Sequence, residues 1–318
     1  MQYYCAPLEG ITGHMFRTVH HRYFPGVDKY FTPFLTPTQE HVFPKKILQE
    51  IAPENNRSFR VVPQILTRRS EDFIWMAREL ADRGYREINL NLGCPSGTVT
   101  AKGKGSGFLA HPDELDRFLD DIYSALDMDL SIKTRLGSLS SDEFPDLLEI
   151  FSRYPVSELI IHPRVRTDFY RNQVQTDVFA WALDHWDGPI CYNGDLTTVS
   201  GCAALSRRFP TVERVMLGRG LIADPALCTK LTGGPAADKT TLRAFHDELF
   251  ESYSAAFGSR RNAMMRMKEL WFYLIHLFSG GGDCLKALRK AKDPLDYTHQ
   301  VEVLFRTLDL LPDAQVDW

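Results

Sequence analysis

Short β-rich runs alternating with amphipathic helical segments constrain this chain more than any other feature. The runs are Tyr3–Pro7, Lys29–Thr32, Arg60–Leu66, Glu87–Leu90, Leu130–Thr134, Glu158–His162, Pro189–Asn193 and Arg214–Leu217. Each is brief and bounded by Gly, Pro or polar residues, the pattern of parallel strands buried on both faces. Between them, Ser70–Arg83 places Phe73, Ile74, Ala77, Leu80 and Ala81 on one helical face, with Ser70 as N-cap and Gly84 as stop. Pro112–Leu126 gathers Leu115, Phe118, Leu119 and Ile122, and Asp142–Arg153 gathers Phe144, Leu147, Leu148 and Phe151. Thr197–Arg208 is a shorter example. Eight strands alternating with helices predict a closed (β/α)8 TIM barrel of about 230 residues. The rival open, doubly wound sheet lacks its G-x-G-x-x-G after the first strand.

Gly233-Gly234-Pro235 interrupts the alternation. Beyond it the pattern is helical over Thr241–Phe257, Arg261–Ser279, Gly282–Ala291 and Tyr297–Leu310. The expected organisation is a catalytic barrel over 1–235 and a small helical domain over 236–318.

Composition excludes several classes. The net charge of −4 rules out adhesion to polyanions by bulk positive charge, so any nucleic-acid contact needs local basic patches. With 44% hydrophobic and 25% charged residues, wholesale disorder is excluded. The six cysteines form no C-x-x-C pair and no zinc-finger spacing, so no metal is expected and a reducing compartment is. No basic leader and no apolar run of about 20 residues is present, which points to the cytoplasm and away from a membrane.

In such barrels chemistry gathers where strands end. Those ends are polar here: Ala6-Pro7-Leu8-Glu9-Gly10, Gln64, Asn91-Leu92-Gly93-Cys94-Pro95, Lys133 and Arg135, His162 and Arg164, Asn193-Gly194-Asp195, and Gly218-Arg219-Gly220. Gln64 could equally be a satisfied interior amide and His162 a core residue. Lys133 in an apolar strand is harder to explain structurally, because a buried ammonium is costly unless paired. The two late glycine-rich loops sit where such barrels hold phosphate. Cys94, between Gly93 and Pro95, is placed to act as nucleophile or proton donor, and the residues alone leave that choice open. The glycine-dense stretch Ser96–Gly107 reads as a mobile loop beside it.

These motifs, in this order, strongly resemble the tRNA-dihydrouridine synthases, and the resemblance spans the barrel and, more loosely, the tail. It implies FMN in the barrel mouth, NADPH (or NADH) as reductant and tRNA as partner; a monomer is expected. Its product would be 5,6-dihydrouridine in the D-loop. Pro7, Leu8 and Glu9 would line the flavin ring, Gln64 its pyrimidine edge, Lys133 its N1/O2 side and His162 its ribityl chain. Asn193, Gly194, Asp195, Gly218 and Arg219 would hold its phosphate. Asn91, Arg135, Arg164 and Tyr170 match substrate-holding positions, and Cys94 matches the proton donor to C5. The histidine motif departs from the family, reading H-P-R-V-R-T where H-x-R-T is more usual. The segment carrying Arg266 and Lys268 resembles the family's RNA-binding tail, supported by Arg261 and by Lys286, Arg289, Lys290 and Lys292. Three rivals remain: an FMN barrel reducing a small pyrimidine, a non-catalytic RNA-binding module, and an aldolase-type barrel using Lys133 as a Schiff base.

Overall fold

The β-rich runs form nine short strands in a computed structural model that describes residues 1–316. They are β1 (Gln2–Cys5), β2 (Lys29–Phe31), β3 (Val61–Val62), β4 (Gln64–Ile65), β5 (Glu87–Leu92), β6 (Asp129–Arg135), β7 (Glu158–His162), β8 (Ile190–Tyr192) and β9 (Arg214–Leu217). The sheet order is β3-β2-β1-β9-β8-β7-β6-β5-β4, and the strands run parallel. Nine reduce to the expected eight because Pro63, which has no N–H to donate, splits one run. Its first half pairs with β2 and its second with β5, so the split strand is the joint that closes the ring. Around the break, the Gln64 N–H donates to Thr32 Oγ1 at 3.0 Å. The Pro63 carbonyl still accepts from the Asn89 N–H at 2.9 Å. The architecture is a TIM barrel with helices following it, as the alternation predicts.

Strand alternation sorts the side chains. Ile88, Leu90 and Leu92 of β5 and Leu130 and Ile132 of β6 lie on one face, all buried. The other face carries Glu87, Asn89 and Asn91 of β5, Ser131, Lys133 and Arg135 of β6, and Glu158 and His162 of β7. Register sets Asn91 opposite Lys133 and Arg135 opposite His162. At the strand starts, buried Lys29 reaches Glu87 Oε1 at 2.9 Å and Glu158 Oε2 at 3.2 Å. Arg60 supports Glu87 at 2.7 Å and Arg214 supports Glu158 at 3.2 Å. The Tyr4 hydroxyl also donates to Glu158, at 2.9 Å.

Helix boundaries follow the sequence closely, with one correction in capping. The helix Ser70–Asp82 begins with Ser70 inside it, and Arg69 takes the cap position without a side-chain bond. The Ser70 hydroxyl instead donates to Asp121 at 2.6 Å, a stronger acceptor than a backbone group. Gly84 ends the segment at φ +92°, as expected. Helices at His14–Tyr23, Lys45–Ile51 and Thr176–His185 lie where the periodicity gave no expectation. The glycine-dense stretch folds as a helical turn, Gly97–Thr100, then a 3-10 segment, Gly105–Ala110, in which Gly105 through Leu109 are buried.

The described residues fall into two compact units interleaved along the chain. One comprises Met1–Pro7, Lys29–Gly194 and Phe209–Met216; the other comprises Leu8–Asp28, Asp195–Arg208 and Leu217 onward. Residues 317–318 of the expected tail lie outside the described residues. The second unit has its own core. Phe24 meets Phe245 at 5.3 Å between ring centroids, and Trp271 and His246 both bond the buried Tyr297 hydroxyl, at 2.9 and 2.7 Å.

Candidate active site

Cys94 follows the end of β5 and is half-buried, whereas Cys5, Cys191, Cys202 and Cys228 are buried in the core. Its turn is held by Asn91, whose Oδ1 accepts from the Gly93 N–H at 3.1 Å and the Cys94 N–H at 2.9 Å. That is the local geometry by which an asparagine carboxamide closes a turn two to three residues ahead. A Cβ added at Gly93 would lie in ordinary contact with the Lys133 carbonyl oxygen and Nζ, at 3.5 and 3.9 Å, so the turn sits directly beside Lys133.

Behind Asn91 runs a chain of buried amides. Asn91 Nδ2 donates to Gln64 Oε1 at 2.6 Å, Gln64 Nε2 to Asn89 Oδ1 at 2.8 Å, and Asn89 Nδ2 to Ser131 Oγ at 2.9 Å. Ser131 Oγ closes it on the Ile88 carbonyl at 3.2 Å. Each link orients the next, so the turn carrying Cys94 is fixed by residues of β4, β5 and β6. Gln64 thus has its Oε1 and one N–H of Nε2 engaged inside the barrel, with the other N–H unpaired among the described residues. Asn89 and Ser131 are members that the motif reading missed. The alternation E-I-N-L-N-L, which puts Asn89 on the face of Asn91, was the signal.

Lys133 stands opposite Asn91 in the register and is half-buried. Among the described residues its ammonium has no hydrogen bond or ion pair. Burial, with Arg135 next in effect, lowers its pKa to about 8. Arg135 is bound to backbone carbonyls: Nε to Gly93 at 2.9 Å, Nη1 to Val165 at 2.9 Å and Nη2 to Phe169 at 2.7 Å. Its guanidinium also lies 5.3 Å from the Tyr170 ring centroid. Tyr170 is 47% exposed and sits 5.9 Å, ring to ring, from His162. Arg164 is buried, donating to the Asn172 carbonyl at 2.6 Å and meeting His162 Nε2 at 3.1 Å. Phe169, before Tyr170, is held at φ +51°. Asn193 donates to the Met216 carbonyl at 2.8 Å, and a side chain at Gly194 would strike Val174 Cγ1 at 2.9 Å. Pro7 is half-buried just past β1.

In the second unit, Leu8 starts a turn closed by Thr12 Oγ1 at 2.8 Å, and Glu9 is exposed. Asp195 accepts from Arg219 Nη2 at 2.9 Å, and Gly218 precedes the short helix Arg219–Ala223. Arg266 bonds the Gly10 carbonyl and Glu269, each at 2.5 Å. Lys268 bonds the carbonyls of Ala291, at 2.5 Å, and Arg289, at 3.2 Å. Both tail cations therefore brace their own unit. Lys286, Arg289, Lys290 and Lys292 are exposed. Among the described residues no cluster of three or more His, Cys, Asp or Glu could hold a metal ion, and no helix is long and apolar enough to cross a membrane.

The fit to a large anionic cofactor rests on this unit's own chemistry. An ammonium without a protein anion, lowered in pKa by burial, gains most from a negative group beside it. A family model described as Dihydrouridine synthase (Dus) matches residues 4–291. The tRNA-dihydrouridine(16) synthase of Cupriavidus necator is 25% identical over 319 residues, covering 95% of this chain and 96% of the relative. The enzyme of the same name from Pseudomonas putida is 26% identical over 288 residues, 86% and 88% of the two chains. A probable tRNA-dihydrouridine synthase of Staphylococcus epidermidis is 28% identical over 256 residues, 78% and 77% of the two. Morphinone reductase superposes with a TM-score of 0.54 at 12% identity, over 76% of this chain and 88% of its own, and shares the fold.

Proposed function

The chain belongs to the dihydrouridine synthase family of oxidoreductases, and from that premise we propose that it reduces the C5–C6 bond of a uridine in the tRNA D-loop. The observation that carries this reading is the half-buried Cys94 on a turn pinned by Asn91, with Lys133 opposite Asn91 and lacking an anionic partner among the described residues. Position 16 is the uridine to examine first, because two relatives that cover most of the chain carry it in their names. With tRNA as substrate, the proposed activity would belong in the cytoplasm.

A bound FMN, reduced by NADPH, would supply the hydride to C6 of the uracil. Lys133 would face its electron-rich edge and balance negative charge there. Gln64 would offer its remaining N–H, and His162, Asn193 and Gly194 would hold the ribityl and phosphate portions. In the second unit, Arg219, braced by Asp195, is suited to an anion, with Gly218 beside it. Addition of hydride at C6 drives negative charge towards C5 and O4. The Cys94 thiol gives its proton to C5, and solvent must then reprotonate the thiolate. Asn91 and Tyr170 would hold the uracil, with Arg164 and Arg135 supporting the segment that carries Tyr170. The exposed cluster Lys286, Arg289, Lys290 and Lys292 would meet phosphates, and the target base must leave its stack.

Cys94→Ala tests the assignment. The variant should keep its flavin and its bleaching by NADPH while forming no dihydrouridine on tRNA. Wild-type yield would remove Cys94 from the mechanism. A colourless protein that cannot be reconstituted with FMN would remove the flavin.

A further inference from the structure

Cys94 is held from a third side by a residue that no motif assigns. We infer that Ser106, buried in the glycine-dense segment, is a positioning residue that fixes the reacting thiol by gripping the Cys94 carbonyl. Its Oγ donates to that oxygen at 2.9 Å and its backbone N–H at 3.1 Å. Ser106 is completely buried, so the hydroxyl has no water to compete for it. Gly105 explains how the segment comes so close. It adopts φ +57°, and a Cβ there would lie 2.8 Å from the Cys94 oxygen and 3.1 Å from the Cys94 Cβ. The segment therefore lies against the residue it holds, and only glycine fits at the contact.

Three side chains thus bind four backbone polar groups of the turn. Asn91 takes the Gly93 and Cys94 N–H groups, Arg135 donates to the Gly93 carbonyl, and Ser106 donates to the Cys94 carbonyl. The peptide groups on both sides of the Cys94 Cα are fixed, which leaves the thiol its side-chain rotation. A proton donor must be held within a fraction of an ångström of its line of approach, and a misplacement of about 1 Å can cost 10²-fold. Ser106 acts through Cys94 and does not touch the reacting atoms. Its hydroxyl also ties the folded form of the 97–110 segment to the position of the thiol.

This inference rests on the reading of Cys94 as the acid, and the experiment separates the two. In the flavin-loaded protein, Ser106→Ala should lower kcat for dihydrouridine formation about tenfold. KM for tRNA, flavin content and the rate of flavin reduction by NADPH should stay within twofold of wild type. Alkylation of Cys94 by iodoacetamide should become several-fold faster as the turn loosens. A kcat and an alkylation rate both within twofold of wild type would overturn the inference. Cys94→Ala, run alongside, reports on the acid itself: retained activity there defeats the underlying reading instead. Should Ser106→Ala fail to fold, Gly105→Ala pushes on the same carbonyl from the same segment. It should show the same selective loss in kcat, and wild-type turnover in that variant would equally overturn the inference.

Discussion

Two lysines point into the same barrel and live in opposite circumstances. Lys29, at the strand starts, lies between Glu87 and Glu158, and each carboxylate has a further arginine partner. Lys133, at the strand ends, has no carboxylate within reach among the described residues, and burial brings its pKa to about 8. The first arrangement is electrostatically complete: two buried carboxylates are shared among three cations. The second is incomplete among the described residues, and a negative group from a ligand would complete it. An interior of this kind separates roles along its axis, with one end closed by its own charges and the other open for a ligand's.

Substitutions should expose that separation. The largest effect belongs to Lys133→Met. Dihydrouridine formation should fall by about 10²–10³-fold, while the melting temperature holds or rises because an unpaired buried charge is gone. Turnover assays and thermal melts on one preparation check both halves. Lys29→Met should do the reverse. It should cost about 3–5 kcal/mol of stability by leaving two buried carboxylates undercompensated, with turnover per folded molecule unchanged; urea titration reads it. If both lysines behave alike, the contrast is lost.

A smaller effect lies in pH. Unliganded Lys133 is charged below about 8 and neutral above it. An anion beside it raises that pKa again, so binding takes up a proton and weakens as pH rises through about 8. Calorimetry of flavin binding in buffers of different ionisation enthalpy should detect the uptake, and Lys133→Met should abolish it. The sign for stability is opposite to that of an ion-paired lysine. From about 8 up to its ordinary 10.5 the unfolded chain holds a proton the folded one has released, so this group alone makes the ligand-free fold more stable as pH rises. Smallest is the tail: Arg289→Ala and Lys290→Ala should each lower the salt slope of tRNA binding by about one. Flavin content should not move.

The residues explain which parts could be read in advance. Strands were legible because each apolar run is short and ends at Gly, Pro or a polar cluster. Asn91, Cys94, Lys133 and His162 were legible because a barrel displays the residues at its strand ends. The partners of Lys29 were not, since Glu158 lies on a strand that meets it only when the ring closes. The helix His14–Tyr23 was hidden because His20 and Arg17 take buried places on a face that periodicity expects to be apolar. Ser106 was hidden for another reason. Its segment reads as flexible from glycine content, yet those glycines permit the close approach and the left-handed turn that pack it. Arg266 and Lys268 read as an RNA-facing pair, and nothing local shows that backbone carbonyls in distant segments accept their bonds.

The interleaving of the two units carries a consequence for biosynthesis. Phe24 rests on Phe245 within the second unit, and the ribosome needs about 10–40 s to add the roughly 220 residues between them at about 5–20 residues per second. Through that interval the nascent amino-terminal segment has emerged without its aromatic companion. Until the carboxy-terminal helices are made, the Phe24 ring lacks the partner it packs on, and a transcript truncated before Lys239 would yield a polypeptide in which it never gains one.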